Sequence, residues 1–331
     1  MAGRDDSSLI RKTPAVNGKN VALPRRGKLV KLRASMANRI ELQSEAAALD
    51  SALADLERAA AAREISGWDT GFANLSRALD GIRPGLYLLI GAPGIGKTSF
   101  ARQLLDQVVR RNPVAGIFFS LAETKNELRI RTLARLSGLD QREIRRGSAY
   151  LLHWYGVPRL AAGDAADLAP SWEKLKRAAE EARSWLDRIY LMECPRGTTV
   201  REIEDQLNAL RARAGAAPLL AVIDDCPRLG PADQSLDARW ARIGEELQQT
   251  ARTLNVPILA LWPDLKKETP ASWAEKAASP DAVLVMETDS ERSKAEANQT
   301  VTLNVVKNRG GEKGRLAYDF FPALARFDEL P

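Results

Sequence analysis

Gly91-Ala92-Pro93-Gly94-Ile95-Gly96-Lys97-Thr98 is the stretch that decides the fold of this chain. The octet matches the phosphate-binding pattern G-x-x-x-x-G-K-[ST], the Walker A motif, at every fixed position. Before it, Leu86-Tyr87-Leu88-Leu89-Ile90 is a continuous apolar run of buried-strand length. After it, Ser99-Phe100-Ala101-Arg102-Gln103-Leu104-Leu105 has the apolar spacing of a helix. A strand, a glycine loop and a helix N-terminus make an anion cradle, because backbone N–H groups and the positive end of the helix dipole converge. Glycines let the backbone come close to a phosphate where a Cβ would clash. The nine residues Gly91 to Ser99 are therefore expected to bind ATP or another nucleoside triphosphate. Lys97 would reach the β- and γ-phosphates and Thr98 would hold Mg²⁺. The simpler reading, a glycine-rich turn matching by chance, does not account for the strand on one side and the helix on the other.

The chain has 331 residues, 45 % apolar and 28 % charged, which is ordinary for a globular protein of one large domain or two smaller ones. No run approaches the ~20 apolar residues of a membrane helix, so no membrane role is expected. The N-terminus has only Leu9-Ile10 before Arg11-Lys12, which is no signal peptide. Cys194 and Cys226 stand far apart, which argues against a disulfide framework or a zinc site and points to a reducing cytoplasm. His153 is the sole histidine and fits a surface or packing role.

The net charge of +6 is unevenly spread. Residues 1–35 carry nine basic side chains, Arg25 and Arg26 among them, against Asp5 and Asp6, so the rest of the chain is close to neutral. With Pro14, Gly18, Pro24 and Gly27 and no apolar period, this segment is expected to be a disordered basic tail. Such a tail suits a polyanion held through its phosphates; a solubilising tail reads equally well. Over residues 36–66 the character changes. Met36, Ile40, Leu42, Ala46, Leu49, Leu53, Leu56 and Ala60 recur at helical spacing, which predicts one long amphipathic helix over 36–63 whose stripe must dock somewhere. Gly67 and Trp68 are expected to hinge it to a domain spanning 67–331.

In that domain, apolar runs at 86–90, 114–120, 189–192, 219–223, 256–261, 282–286 and 300–306 read as strands, with helical stretches such as 172–185 and 201–212 between them. The alternation predicts an α/β fold with a mainly parallel sheet, helices on both faces, and ligands at the carboxyl ends of the strands. Leu219-Leu220-Ala221-Val222-Ile223-Asp224-Asp225 is an apolar strand ending in acid, the Walker B pattern. Asp224 is the expected Mg²⁺ partner across from Thr98, with Asp225 open as the alternative.

Beyond Gly67 the sequence resembles the C-terminal ATPase domain of DnaB-type replicative helicases, in the RecA-like branch of P-loop proteins. The resemblance runs through Thr70-Gly71-Phe72-Ala73-Asn74-Leu75, Phe118-Phe119-Ser120-Leu121, Arg131-Thr132-Leu133-Ala134-Arg135-Leu136-Ser137, Leu254-Asn255-Val256-Pro257-Ile258, Pro280 to Val285 and Arg326-Phe327-Asp328. It implies a RecA-like fold and an ATP- and Mg²⁺-dependent motor, a homo-oligomeric ring of six. It also implies single-stranded DNA and replication or mobile-element proteins as partners. Lys307-Asn308-Arg309 resembles the basic triad that reaches a neighbour's γ-phosphate in such rings, which makes Arg309 the arginine-finger candidate and Lys307 its companion. The plain reading of the triad is a basic turn before Gly310 and Gly311.

The sequence departs from the DnaB pattern in three places. The family's catalytic glutamate after F-S-L is Ala122 here, with Glu123 following, as in the A-E-D segment of RepA-type plasmid helicases. Glu123 is the expected water-orienting group. The S-Q pair after the strand at 256–261 is replaced by Trp262-Pro263-Asp264, so the family's glutamine sensor is missing or replaced. The family's globular N-terminal domain is expected to have no counterpart. Candidate DNA loops are 230–235 and 264–272, the latter carrying Lys266 and Lys267; both also read as ordinary solvated loops. Two further readings stand beside the motor: an ATP-gated DNA-binding or assembly protein with weak hydrolysis, and a RecA- or KaiC-like regulatory ATPase acting on protein partners.

Overall fold

The computed structural model describes residues 49, 53–54, 65–146, 162–215, 217–231, 235–264, 268–276, 279–288 and 298–331. The basic tail with Arg25 and Arg26, most of the helix expected over 36–63, His153, Lys266 and Lys267 lie outside them. The chain divides at Arg58/Ala59 into two compact units. In the first, residues 49, 53 and 54 are helical, and Leu49 and Leu53 are exposed.

The second unit, Ala59–Pro331, is built on a nine-stranded sheet. In chain order its elements are α1 (Ala73–Leu79), β1 (Gly85–Gly91), α2 (Lys97–Arg111), β2 (Ala115–Ser120), α3 (Lys125–Ser137), α4 (Gln141–Arg146), α5 (Ala162–Leu186) and β3 (Ile189–Glu193). There follow α6 (Val200–Arg213), β4 (Leu219–Asp224), α7 (Leu236–Leu254), β5 (Pro257–Pro263), α8 (Pro270–Lys276), β6 (Ala282–Thr288), β7 (Gln299–Asn308), β8 (Gly314–Phe321) and β9 (Arg326–Glu329). The strand order is β3-β2-β4-β5-β1-β6-β7-β8-β9. The pairs from β3 to β6 are parallel and those from β6 to β9 antiparallel.

The apolar run of β1 explains its central place. Leu86, Leu88 and Ile90 enter one core and Leu89 the other, so the strand is buried on both faces and needs no polar alternation. One core joins α1 and α2 to the aromatic side chains Tyr318, Phe320 and Phe327 of β8 and β9. The other packs α6, through Val200, Ile203 and Leu207, and α7, through Ile243, Leu247 and Ala251, on the opposite face. Helices on both faces of a mostly parallel sheet are the expected α/β fold.

All seven expected strands are present, and β8 and β9 extend the sheet beyond them. Gly67 and Trp68, expected as a hinge, are tied to the start of the domain. Trp68 and Ile82 exchange backbone hydrogen bonds at 2.9 Å, and a Cβ on Gly67 would strike the backbone of Gly81 at 2.6 Å. The loop expected over 264–272 is helical from Pro270. Proline fits the first helical turn, where its missing N–H is no loss, and Trp273 is buried against Trp240 with ring centroids 5.0 Å apart. Among the described residues no helix is long and apolar enough to cross a membrane.

Candidate functional site: a phosphate loop facing an acidic strand end

The octet Gly91 to Thr98 runs from the last residue of β1 into α2. Gly94 and Gly96 have φ of +83° and +102°, the left-handed region that favours glycine. Gly96 is also packed: a Cβ there would lie 2.8–2.9 Å from the rings of Phe320 and Phe327. Ile95 is buried in the core and anchors the tip of the loop from below. The Lys97 ammonium donates to the carbonyls of Gly91 at 2.8 Å and Ala92 at 3.0 Å, so it lies across the mouth of the loop. Ala92 is half-buried and Pro93 exposed. The N–H groups of Lys97, Thr98 and Ser99 open α2 and have no partner within the helix. The Ser99 hydroxyl is buried and accepts from Arg131 Nη1 at 2.8 Å, so what Ser99 offers a phosphate is its backbone N–H.

Thr98 and Asp224 come together. The Thr98 hydroxyl donates to Asp224 Oδ2 at 2.6 Å, although the two residues belong to different elements. Asp225, the alternative, turns to Arg228, 3.4 Å away. Burial pushes the Asp224 carboxyl up to about 6; Asp225 and Glu123 push in the same direction, against the Thr98 hydrogen bond and the charge of Lys97. Burial also lowers Lys97, and Asp224, Asp225 and Asp264 oppose that shift. This is an oxygen-rich, negatively charged corner beside a half-buried ammonium. Its hydroxyl and carboxylate are the hard donors that Mg²⁺ prefers, and its ammonium and helix N–H groups suit phosphate oxygens, so the residues fit a Mg²⁺-bound triphosphate.

Ala122 is exposed and Glu123 half-buried, so the one-residue shift puts the carboxylate, not the alanine, on the inner side. Glu123 is held by a fork. Arg131 Nε donates to Oε2 at 3.0 Å and Nη2 bonds Oε1, while Nη1 reaches Ser99. Ser120 clamps the backbone of Glu123, its hydroxyl donating to the carbonyl and accepting from the N–H. Thr124 then caps α3 in a reciprocal box with Glu127, which fixes where the helix bearing Arg131 begins.

Arg309 and Lys307 are not brought to this corner. Because β7 runs antiparallel to β6, Lys307 pairs with Val283 and Asn308 with Ala282, at the start of β6, whereas Gly91 is level with Met286 near its end. Arg309 N–H donates to the Asp281 carbonyl, and Asp281 N–H donates in turn to the carbonyl of Leu86, five residues before Gly91. The triad thus lies about 16 Å from the phosphate loop along the strand axis alone. It is firmly built. The Asp281 carboxylate faces Arg309 at 3.4 Å and accepts from Leu86 N–H and Gln248. Asn308 donates to the carbonyls of Ala78 and Glu312. Burial lowers Lys307, as does the charge of Arg309.

Two residues of the corner escape a reading by motif. Arg131 is one; the signal for it was the Thr124-x-x-Glu127 capping box, which starts the helix that carries it. Asp264 is the other. It directly follows β5, is 9 % exposed, and its N–H donates to the Gly91 carbonyl at 2.8 Å.

A parallel sheet in the order 3-2-4-5-1-6, with the phosphate loop on β1 and an antiparallel extension beyond β6, defines a P-loop NTPase domain of the RecA-like kind. Residues 67–272 match the DnaB-like helicase C-terminal domain family, and the chain belongs to that family. It is 26 % identical over 286 residues to a replicative DNA helicase DnaB of Pasteurella multocida, covering 80 % of this chain and 56 % of the relative. It is 27 % identical over 202 residues to the replicative DNA helicase DnaC of Bacillus subtilis, covering 60 % of this chain and 39 % of the relative. The chain thus spans about half, or less, of these relatives. A solved ATPase domain aligns with a TM-score of 0.72 at 20 % identity, over 88 % of this chain and all of that one. A DnaB-like replicative helicase solved for its interactions with primase aligns with a TM-score of 0.68 at 21 % identity, over 92 % of this chain and 71 % of that one. These two bear on the fold.

Proposed function

We propose that this chain is an ATP-driven motor acting on single-stranded DNA as a ring, of six subunits by resemblance to its family. The observation that carries the reading is the Thr98–Asp224 hydrogen bond at the mouth of the phosphate loop, in a member of a helicase family. Lys97 and the N–H groups of Gly94 to Ser99 would hold the phosphates, and Thr98 and Asp224 would hold Mg²⁺. When bound, Mg²⁺ would neutralise charge on the phosphate oxygens. Glu123 orients the attacking water, kept in place by Arg131. Arg309 and Lys307, built rigidly at the far end of the sheet, complete a neighbour's site instead of their own. The exposed Leu49 and Leu53 support docking of segment 36–66 on another subunit. The tail 1–35, with Arg25 and Arg26, and Lys266 and Lys267 would contact DNA phosphates, and replication or mobile-element proteins would be its partners in the cell. ATP turnover measured with Mg²⁺, with and without single-stranded DNA, tests the reading: turnover stimulated by the DNA is expected, and unchanged turnover together with no DNA binding would remove the motor.

A further inference from the structure

Directly after β5 this chain places a carboxylate, Asp264. Asp264 is nearly buried, and its position is over-determined. Its N–H donates to the carbonyl of Gly91, the same carbonyl that accepts from the Lys97 ammonium. Its Oδ1 accepts from Glu268 N–H at 3.1 Å, which pins the carboxylate. Gly91 and the neighbouring Pro263 are paired in the β1–β5 register, so the side chain leaves the strand level with the start of the phosphate loop. Its charge acts on Lys97 together with those of Asp224 and Asp225. Asp224 has a task in the proposed site, at the metal, and Asp225 has Arg228. Asp264 is left as the nearby carboxylate without either task, tied by its N–H to the carbonyl that also holds the Lys97 ammonium.

We propose that Asp264 is a specificity-determining residue of the nucleotide site: its carboxylate competes with the terminal phosphate for Lys97 and so narrows the preference for triphosphate over diphosphate. The reasoning is electrostatic. A triphosphate brings one more negative charge than a diphosphate into the same low-dielectric corner, and a fixed carboxylate beside Lys97 opposes that added charge more than the charges already present. A neutral amide or hydroxyl at this position would accept the Glu268 N–H as well and oppose nothing. The inference rests on the reading of Lys97 and Thr98 as the phosphate site.

The test is equilibrium binding by calorimetry, with Mg²⁺, of ADP and of a non-hydrolysable ATP analogue to the full chain. Asp264→Asn keeps the shape and the acceptor for Glu268, and Asp264→Ser keeps an acceptor on a smaller side chain. In both, the ratio of the ADP to the analogue dissociation constant is expected to rise roughly tenfold. Asp264→Glu, which keeps the charge, should leave the ratio near that of the parent. A purely structural role for Asp264 would leave the ratio unmoved in Asn and Ser, and that result overturns the inference while the nucleotide site stands. A parent that binds neither nucleotide removes the site itself, and the inference with it.

Discussion

Lys97 directs its ammonium at two carbonyls of its own loop and belongs to neither apolar core. Removing it should therefore leave the fold alone. Lys97→Ala is expected to abolish Mg²⁺-dependent ATP binding, read by calorimetry, with an unchanged melting temperature; retained affinity and turnover would remove the site as assigned. Glu123 and Arg131 form a unit in which the guanidinium fork aims the carboxylate. If Glu123 orients the attacking water, as proposed, Glu123→Gln should lower turnover by roughly 10²–10⁴-fold with little loss of nucleotide affinity, since such a group holds no phosphate. Arg131→Lys replaces a planar fork by a point charge and should also lower turnover. The double variant should be no worse than Glu123→Gln alone; additive losses in the cycle would mean that the two act separately. The residues legible in the sequence are those whose partners are covalent neighbours, Gly91 to Ser99, or whose strand is apolar from end to end, Asp224. Arg131 and Asp264 reach the corner from separate elements; the capping box marks where the helix of Arg131 begins, but no spacing along the chain announces that either residue ends in the corner.

The elements show the same division. Strands β1, β2 and β4 to β6 are buried on both faces, so they stand out as unbroken apolar runs. Strand β8 begins exposed and becomes buried only at Tyr318 and Phe320, and β9 has four residues, so neither has a run to read. Yet β9 floors the phosphate loop. Gln103 of α2 clamps it with two hydrogen bonds, from its amide to the Phe327 carbonyl at 2.7 Å and from Phe327 N–H to its own carbonyl at 2.8 Å. Phe327 stacks on Phe320 at 4.2 Å between centroids and meets Phe100 edge-on at 5.2 Å, and both Phe320 and Phe327 press on Gly96. Phe327→Ala should cost about 3–5 kcal/mol of stability. It should also weaken nucleotide binding in the fraction that remains folded, because the loop loses its support. Chemical denaturation and calorimetry on the same sample separate the two effects. A stability loss with unchanged affinity would show that the loop keeps its shape without the aromatic floor.

At the scale of the whole molecule the decisive fact is a separation. The strands that put Lys97, Thr98 and Asp224 at one end of the sheet put Lys307 and Arg309 at the other, because β7 pairs antiparallel with β6 and ends level with the start of β6. Asp281, Gln248 and the start of β1 hold the triad there, so no change of rotamer brings Arg309 to its own phosphate loop. A basic group that completes a phosphoryl-transfer site from this position must act on another copy. A head-to-tail interface repeated until it closes would give every subunit one loop and one finger. Arg309→Ala should then lower turnover by roughly 10³-fold while sparing nucleotide binding. Lys97→Ala should be inactive for the opposite reason. Mixed in equal amounts, the two inactive variants should recover measurable turnover, because a ring containing both places an intact loop beside an intact finger at some of its interfaces. Light scattering with ATP and Mg²⁺ present reads the assembly on the same samples. No recovery on mixing, or a strictly monomeric protein with undiminished turnover, would sink the shared site and the ring-shaped motor built on it.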